Sequence, residues 1–294
     1  MVLEEYLKTK QERVDGALGE YLPKRDGFSS EISESMRYTL FAGGKRIRPV
    51  LCMASAEAVG GREDMVLPIA CAIEMIHTYS LIHDDLPSMD NDNYRRGKPS
   101  NHKIFGDGVA ILAGDALLTE AFSLLSGTIK GVSPEKNLEI IREIATAAGF
   151  QGMIGGQVAD LRAEGKTVDM ETVDYIHAHK TQALITVSIR AGAIAAGADA
   201  DDLKALSEYG RKTGLAFQIA DDILDIESSR EILGKETGRD EGLNKATYPA
   251  LIGLAESKER TRKLVEDALS DIRRFDKKAE PLRMIARFIA ERKS

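Results

Sequence analysis

Residues 68–93 read PIACAIEMIHTYSLIHDDLPSMDNDN, and this stretch is the clearest indication of fold class in the 294-residue chain. Its first half is apolar almost all round, and polar side chains first share a face at Glu74, His77 and Ser80. A helix that is apolar on every side belongs at the centre of a bundle, where it packs against several neighbours. The stretch therefore predicts a buried helix that leads directly into a run of carboxylates.

The helical period recurs along most of the sequence, with apolar residues at steps of three and four. It covers ten segments, near residues 2–21, 30–41, 47–59, 65–86, 108–127, 135–150, 169–197, 201–226, 248–274 and 280–291. Aromatic residues make up only 5% of the chain and Trp is absent, which favours helices over a β-sandwich or barrel. We see no alternating segment bounded by hairpin turns and no low-complexity linker. We therefore predict one all-α domain, a helical bundle over residues 1–294.

Charge and cysteine usage argue against several classes of protein. The chain has 40 Lys and Arg against 47 Asp and Glu, a net charge of −7, which disfavours a nucleic-acid-binding protein. Cys52 and Cys71 lie in apolar runs without the paired spacing of a zinc site, so we expect two buried thiols in a reducing compartment. No uninterrupted apolar run approaches the ~18 residues that span a bilayer, and the amino-terminal segment is charged. These features predict a cytoplasmic protein without a transmembrane segment.

Two acidic clusters follow strongly apolar segments. They are Asp84, Asp85 and Asp90 in LIHDDLPSMDNDN, and Asp221, Asp222 and Asp225 in AFQIADDILDIES. Two carboxylates about 4 Å apart repel by ~4 kcal/mol at an effective dielectric constant near 20. One such cluster is more often a solvated helix end, but two of them on apolar helices favour a cation bound between them. Oxygen ligands without His or Cys are typical of Mg²⁺.

Basic residues are concentrated in short motifs that suit a metal-bound phosphate. They are Lys45, Arg46 and Arg48 in FAGGKRIRP, Arg95 and Arg96 in YRRGKPSNH, Lys180 in HAHKTQAL, and Lys235, Arg239 and Lys245 within residues 232–249. None of these motifs forms a Walker loop, and no GxGxxG motif opens a helix after a strand, so a nucleotide-dependent enzyme is not favoured. The glycines of GFQGMIGGQ at residues 149–157 indicate close helix packing around a kink.

In this order the motifs resemble those of the trans-prenyl diphosphate synthases, which elongate isoprenoid chains head to tail. The resemblance runs through GGKRIRP at 43–49, the segment 74–102, GGQVADL at 155–161, HKTQAL at 179–184, FQIADDILD at 217–225 and the GKETGRD…KATYP segment at 234–249. It implies a homodimer of all-α subunits, each a bundle around a deep central apolar cavity with the aspartates at its mouth. It also implies the condensation of isopentenyl diphosphate with an allylic diphosphate.

The resemblance implies a role for each candidate residue. The six aspartates would hold Mg²⁺, with three ions bridged by the allylic diphosphate. Arg95, Lys180, Lys235 and Lys245 would neutralise that diphosphate, and Lys45, Arg48, His77 and Arg96 would bind isopentenyl diphosphate. Thr181, Gln218 and the backbone carbonyl of Lys180 would stabilise the allylic carbocation, and the departing diphosphate would accept the final proton. Positioned cations stabilise the negative charge that a leaving diphosphate gains as its C–O bond breaks.

Product length in this family depends on side chains that precede the first acidic motif, here Tyr79 and Ser80. Tyr79 lies five residues before Asp84, about 7.5 Å back along a helix. The resemblance implies that this position helps to form the cavity floor, and a bulky floor favours the C15 product farnesyl diphosphate. The alternative is that Tyr79 is an ordinary core aromatic.

Rival functions come from related and from non-catalytic classes. A C20 geranylgeranyl diphosphate synthase and a non-catalytic subunit of a prenyl synthase remain as alternatives. A class I terpene cyclase is disfavoured, because the chain has a second DDxxD motif and also the GGKRIRP motif of a second diphosphate site.

Overall fold

The structure is a computed structural model that describes residues 2–23, 27–233 and 247–291, and these residues form 14 α-helices and one two-stranded hairpin. The helices are α1 (Leu3–Tyr21), α2 (Ser30–Leu40), α3 (Ile47–Ala58), α4 (Glu63–Asp84), α5 (Asn101–Phe105), α6 (Asp107–Ser126), α7 (Pro134–Ala148), α8 (Met153–Ala163), α9 (Met170–Ile176), α10 (Ala183–Ala196), α11 (Ala200–Leu233), α12 (Tyr248–Ile252), α13 (Leu254–Asp271) and α14 (Glu280–Glu291). The strands β1 (Tyr94–Arg95) and β2 (Lys98–Pro99) pair antiparallel between α4 and α5. A π-helix, termed the π segment, joins α9 to α10 at His177–Gln182. The all-α fold class is confirmed.

All ten predicted segments contain helix, and two of them are interrupted. The segment 169–197 comprises α9, the π segment and α10, and the segment 248–274 divides into α12 and α13 at Gly253. Helix α8 is absent from the predicted segments, because Gly155 and Gly156 lower its intrinsic helix propensity. The expectation of no hairpin is wrong at β1 and β2, since two residues per strand are too few to show an alternating pattern.

Helix α4 lies at the centre of the bundle, as its apolar pattern predicts. It packs against α1, α2, α3, α6 and α10. Of its 22 residues, 13 are buried. Cys71 on α4 and Cys52 on α3 are free thiols and fully buried, as expected. This packing fixes the carboxyl end of α4, and with it the first acidic cluster.

The buried charges of Glu74 on α4 and of Arg46 before α3 are paired. Glu74, only 1% exposed, accepts a hydrogen bond from Nη1 of Arg46 at 2.7 Å. Nε of Arg46 donates to Asp15 on α1 at 2.8 Å, and Nη2 donates to the carbonyl of Leu40 at 2.5 Å. Removing one partner of a buried pair leaves an uncompensated charge, which is strongly destabilising. The middle basic residue of GGKRIRP therefore ties α1 to α4.

Among the described residues, α4 and α6 are long and apolar enough to cross a membrane by length and composition alone. The apolar window of α4 is 72% buried inside the bundle, and that of α6 is 33% buried. Neither helix contains an uninterrupted apolar run of that length, because isolated polar residues divide the apolar sequence of each. A membrane segment is not supported, since core helices of soluble proteins have the same composition.

A smaller second core lies beside the second acidic cluster. It consists of Val173 on α9, Ile219 and Ile223 on α11, and Tyr248 on α12, all of them buried. The π segment packs against α11, α8 and α10. The second core therefore sets the π segment beside the helix that carries Asp221, Asp222 and Asp225.

Candidate active site

The first acidic cluster lies where α4 ends. The helix stops at Asp84, three residues before Pro87, which cannot continue it. The chain then folds back, so that the N–H of Asp90 donates to the carbonyl of Asp84 at 2.9 Å. Asp85 is 1% exposed, whereas Asp90 is exposed. Helical spacing cannot place Asp90, because the helix has ended before it. The fold-back brings the backbone of Asp90 next to that of Asp84.

The hairpin carries Arg95 and Arg96 to different partners. Its two-residue turn at Arg96 and Gly97 has φ values of 54° and 75°, as in a type I′ turn. Nε of Arg95 donates to Oδ1 of Asp85 at 2.9 Å. Nη1 of Arg96 donates to the carbonyl of Gly43 in the loop before α3. The hairpin therefore places one guanidinium on the first acidic cluster and the other against the GGKRIRP motif.

The loop before α3 has room for Arg96 because residue 44 is glycine. A Cβ on Gly44 would lie 2.5 Å from Cζ of Arg96, and the backbone φ of Gly44 is +121°. The next residue, Lys45, has its ammonium group 5.6 Å from the centre of the Phe288 ring on α14. The close approach of a guanidinium to the backbone depends on the missing side chain at position 44.

Three of the four residues predicted to bind isopentenyl diphosphate form what we term the basic cluster: Arg48, His77 and Arg96. Lys45, the fourth, lies in the loop before α3. Nη1 of Arg48, in the first turn of α3, lies 3.3 Å from Nε2 of His77 on α4. Burial lowers the pKa of Arg48 and of Arg96, although nearby carboxylates oppose this. Burial, and then the charge of Arg48, hold the pKa of His77 well below its usual range.

The basic cluster lacks anionic partners for its guanidinium groups. Neither Arg48 nor Arg96 forms an ion pair with a carboxylate within the described ranges, and the buried Nε of Arg48 has no hydrogen-bond partner there. Buried polar groups in proteins are normally hydrogen-bonded, and buried charges are normally paired. An anionic ligand would satisfy both requirements.

The π segment presents Lys180 and Thr181 to two different helices. Nζ of Lys180 donates to Oδ2 of Asp160 on α8 at 2.6 Å, and the hydroxyl of Thr181 donates to Oε1 of Gln218 on α11 at 2.6 Å. Helix α8 approaches closely because Gly156 has no side chain, since a Cβ there would lie 2.8 Å from Cα of Lys180. The close packing predicted from GFQGMIGGQ is confirmed at this contact.

Asp222, in the second acidic cluster, contacts residues in two other segments of the chain. Nε2 of Gln218 donates to its Oδ1 at 2.9 Å, and the backbone N–H of Tyr248 donates to its Oδ2 at 3.4 Å. Nε2 of His177 lies 3.4 Å from the same Oδ2, and the His177 ring stacks on the Tyr248 ring at 5.3 Å between centroids. Asp222 therefore links α11 to both the π segment and α12.

The raised pKa values of one aspartate in each acidic cluster favour the binding of a cation there. Burial raises the pKa of Asp84 to about 6, with Lys180 opposing the shift. Burial also raises the pKa of Asp222 to about 7, with hydrogen bonds opposing and the like charges of Asp221 and Asp225 adding to it. Ionising such carboxylates costs free energy, which a nearby positive charge reduces.

The donor set fits magnesium that is shared with a ligand. In residues 2–23, 27–233 and 247–291, no group of three or more His, Cys, Asp or Glu side chains is arranged to hold a metal ion by itself. Mg²⁺ usually binds one or two carboxylates and completes its shell with water and substrate phosphate oxygens. Six carboxylates in two clusters, with raised proton affinity at Asp84 and Asp222, suit that kind of site.

Tyr79 and Ser80, the residues expected to influence product length, differ in how they are held. The Tyr79 side chain is buried and packs edge-to-face on His83 at 5.7 Å between centroids. Its hydroxyl has no hydrogen-bond partner among the described residues, and burial, then the charge of Asp84, raises its pKa to about 12. Ser80 donates to the carbonyl of His77 at 2.9 Å within its own helix.

Some candidate residues cannot be placed, and others emerge only from the structure. Lys235 and Lys245 lie outside the described residues. The structure adds Asp160, His177 and Tyr248 to the site, through their contacts with Lys180 and Asp222. The available signal for Asp160 is its spacing of four residues from Gly156, one helical turn, within GGQVADL.

Comparison with known proteins indicates a single family. Residues 29–286 match the polyprenyl synthetase family. The chain is 49% identical over 288 residues to a geranylgeranyl diphosphate synthase of Cyanophora paradoxa, covering 98% of this chain and 95% of that one. It is 48% identical over 291 residues to a farnesyl diphosphate synthase of Geobacillus stearothermophilus, covering 99% and 98%. An apo crystal structure of an FPP/GFPP synthase from Zymomonas mobilis matches with a TM-score of 0.89 at 39% identity, over 98% of each chain.

Proposed function

Because the chain belongs to the polyprenyl synthetase family and is a prenyltransferase, we propose that it joins isopentenyl diphosphate to an allylic diphosphate and makes mainly farnesyl diphosphate. The observation that carries this proposal is the basic cluster, in which Arg48 and Arg96 lack carboxylate partners among the described residues. Unmatched positive charge suits a diphosphate that arrives without metal. The acidic clusters beside Lys180 and Arg95 suit a diphosphate that binds together with metal. A condensation of two diphosphates needs both places.

The allylic diphosphate would bind between the two acidic clusters. Asp84, Asp85 and Asp90 would hold Mg²⁺ from one side, and Asp221, Asp222 and Asp225 from the other. When bound, three ions would neutralise the leaving diphosphate. Arg95 and Lys180 would lie beside the same group, together with Lys235 and Lys245. The raised pKa values of Asp84 and Asp222 support a requirement for cations here.

The π segment is suited to the carbocation that forms when the allylic C–O bond breaks. Both electrons of that bond leave with the diphosphate, the double bond of isopentenyl diphosphate then bonds to the allylic carbon, and the released diphosphate accepts the lost proton. The oxygens of Thr181 and Gln218 and the backbone carbonyl of Lys180 would stabilise the cation as fixed dipoles. Their support is the hydrogen bond of 2.6 Å that locks Thr181 to Gln218.

Tyr79 supports the C15 product. The relatives are named for both farnesyl and geranylgeranyl products, so their names alone do not distinguish C15 from C20. A buried aromatic ring whose hydroxyl forms no hydrogen bond within the described ranges acts as bulk, which is what a cavity floor requires. C20 synthesis and a non-catalytic subunit remain the alternatives.

A second copy of this chain is the proposed partner. Of the 12 large apolar side chains that are exposed in the described part of the chain, seven fall between residues 104 and 158: Ile104, Ile111, Leu112, Leu138, Phe150, Ile154 and Val158. An extensive exposed apolar surface usually marks an interface. The low burial of α6 supports the same proposal.

The decisive experiment sizes the product. Purified protein is incubated with Mg²⁺, isopentenyl diphosphate and either dimethylallyl or geranyl diphosphate, and the dephosphorylated alcohols are separated by chromatography. A C15 alcohol is the expected result. A C20 alcohol would show that the product is not C15, while the proposed condensation reaction would stand. No product from either starter would favour the non-catalytic subunit.

A further inference from the structure

An open cavity of about 400 Å³ lies beside the π segment, and none of the residues assigned above to substrates or metal lines it. Its walls come from α7, the loop before α8, the π segment, α10 and α11. Arg142 and Glu143 contribute from α7, Arg190 from α10 and Arg211 from α11. Three helices, the loop before α8 and the π segment therefore border an open pocket that the proposed reaction does not use, in which Arg142 and Arg211 are exposed.

The lining of this cavity carries excess positive charge. Three arginines face one glutamate. Arg190 and Glu143 neutralise each other, with Nε of Arg190 donating to Oε2 of Glu143 at 2.7 Å. Arg142 forms no ion pair within the described part of the chain, and Arg211 pairs only with Glu208, which does not line the cavity. Arg142 is thus the one lining arginine without a carboxylate partner among the described residues, in a protein whose net charge is −7.

The remaining lining suits a ligand with a small apolar body. Ala147, Ala183 and Val187 contribute apolar surface, and Thr186 contributes a hydroxyl. This hydroxyl is buried and has no hydrogen-bond partner among the described residues. A buried hydroxyl without a partner is costly, and a ligand acceptor would satisfy it. Guanidinium groups on two helices match the geometry of a phosphate group.

The cavity shares the π segment with the candidate active site. His179 and Gln182 line the cavity. Lys180 and Thr181, which lie between them in sequence, bond instead to Asp160 and Gln218. A ligand that contacts His179 or Gln182 is therefore one residue away from the groups assigned to the carbocation and the diphosphate.

We propose that this cavity is an effector site for a small organic phosphate, whose phosphate group lies between Arg142 and Arg211 and whose occupancy alters the π segment. Binding of the phosphate to this cavity does not depend on the proposed function. The predicted effect of that binding on turnover does rest on the proposed function.

Binding is tested by calorimetric titration with hexyl phosphate and, separately, with inorganic phosphate, in EDTA to remove metal-assisted binding. The variants are the double substitution Arg142→Gln/Arg211→Gln, the matched control Arg273→Gln at an exposed arginine elsewhere, and Arg48→Gln, which reports binding in the basic cluster. We expect the double variant to bind hexyl phosphate at least tenfold more weakly at one site, with Arg273→Gln unchanged. Equal affinity and stoichiometry in the double variant and the wild type would overturn the proposal. Binding of inorganic phosphate as tight as that of hexyl phosphate would overturn its organic part.

The coupling is tested by steady-state kinetics. Hexyl phosphate should change the KM for the allylic diphosphate at least twofold in the wild type and in Arg273→Gln, but not in the double variant. Identical responses in all three proteins would mean that the ligand acts only in the active site. In that case the effector role would be wrong, whatever the product of the enzyme.

Discussion

Lys180 and Asp160 form a charged hydrogen bond of 2.6 Å between the π segment and α8. Burial disfavours the ammonium ion, and the charge and hydrogen bond of Asp160 more than offset this, so the pKa of Lys180 is raised above its usual range. The same lysine is under the influence of Asp84 and Asp90. Asp160 therefore holds a cation in place beside the first acidic cluster.

Asp160→Asn should impair catalysis more than folding. Losing a charge-assisted hydrogen bond is worth about 1.5–3 kcal/mol, or a fall in kcat/KM of roughly 10–100-fold if Lys180 positions the allylic diphosphate. Steady-state kinetics measure this, and urea unfolding provides the stability comparison. Asp267→Asn, at an exposed aspartate of α13, is the matched control. Equal kcat/KM in the two variants would show that Asp160 has no role in the reaction.

Gly44→Ala and Gly43→Ala separate backbone strain from the contact with Arg96. Both glycines have positive φ, +121° and +100°, so either substitution should destabilise the fold by about 1–3 kcal/mol. Only at Gly44 would the new Cβ collide with the guanidinium, because nothing lies within 4 Å of a Cβ at Gly43. We expect the KM for isopentenyl diphosphate to rise at least fivefold more in Gly44→Ala than in Gly43→Ala. The measurement is steady-state kinetics with the concentration of isopentenyl diphosphate varied. An equal rise in this KM in both variants would contradict the prediction.

Arg48→Gln should act on one substrate only. Because Arg48 lies against His77 in the basic cluster, its loss should raise the KM for isopentenyl diphosphate by roughly tenfold or more, the cost of one charged hydrogen bond. The KM for the allylic diphosphate should change less than threefold. Arg273→Gln again serves as control. An equal rise in both KM values would show that the two diphosphate places are not distinct.

Protonation of His77 in the unfolded chain should lower the free energy of unfolding at mildly acidic pH. Burial and then the charge of Arg48 lower the pKa of His77 in the folded chain. Above the unfolded pKa, near 6.5, both states are neutral and the contribution to stability is complete. As the pH falls below that value the unfolded chain binds a proton first, so stability is lost.

Urea unfolding between pH 7.5 and 5 measures this effect. The free energy of unfolding of the wild type should fall more steeply than that of His77→Gln, by up to about 1.4 kcal/mol per pH unit. Parallel curves for the two proteins would mean that His77 is not held neutral by its surroundings.

Tyr79→Ala should lengthen the product, whereas Tyr79→Phe should not. The ring is buried, but its hydroxyl has no hydrogen-bond partner within the described ranges, so bulk alone should limit the growing chain. Chromatography of the dephosphorylated alcohols distinguishes the variants. A C15 product from Tyr79→Ala would exclude Tyr79 as the cavity floor. A longer product from Tyr79→Phe would show that the hydroxyl matters.

Local patterns predict most of the fold and part of the site. The apolar surface of α4 predicts its central position, because a helix without a polar face has to be buried. The spacing of Asp221 and Asp225 predicts that they share a face of α11. These inferences succeed because helix periodicity needs only neighbouring residues.

The remaining features depend on contacts between distant segments. The direction of Asp90 is set by a backbone hydrogen bond after α4, and the use of Asp160 is set by how closely α8 approaches the π segment. Arg46 stands in a motif of phosphate-binding appearance, yet it pairs with Glu74 inside the protein. Sequence spacing cannot distinguish Arg46 from Arg48, because the difference lies in which side chains the packed bundle brings to each.

The pairing of Arg46 with Asp15 and Glu74 also bears on how the chain is made. Translation delivers Asp15 and Arg46 before Glu74, so Nη1 of Arg46 lacks its carboxylate acceptor until α4 has been synthesised. Until then, burying Arg46 beside α1 would leave part of its guanidinium without a hydrogen-bond partner. The hydrogen bonds of buried Arg46 are therefore complete only once the central helix is present.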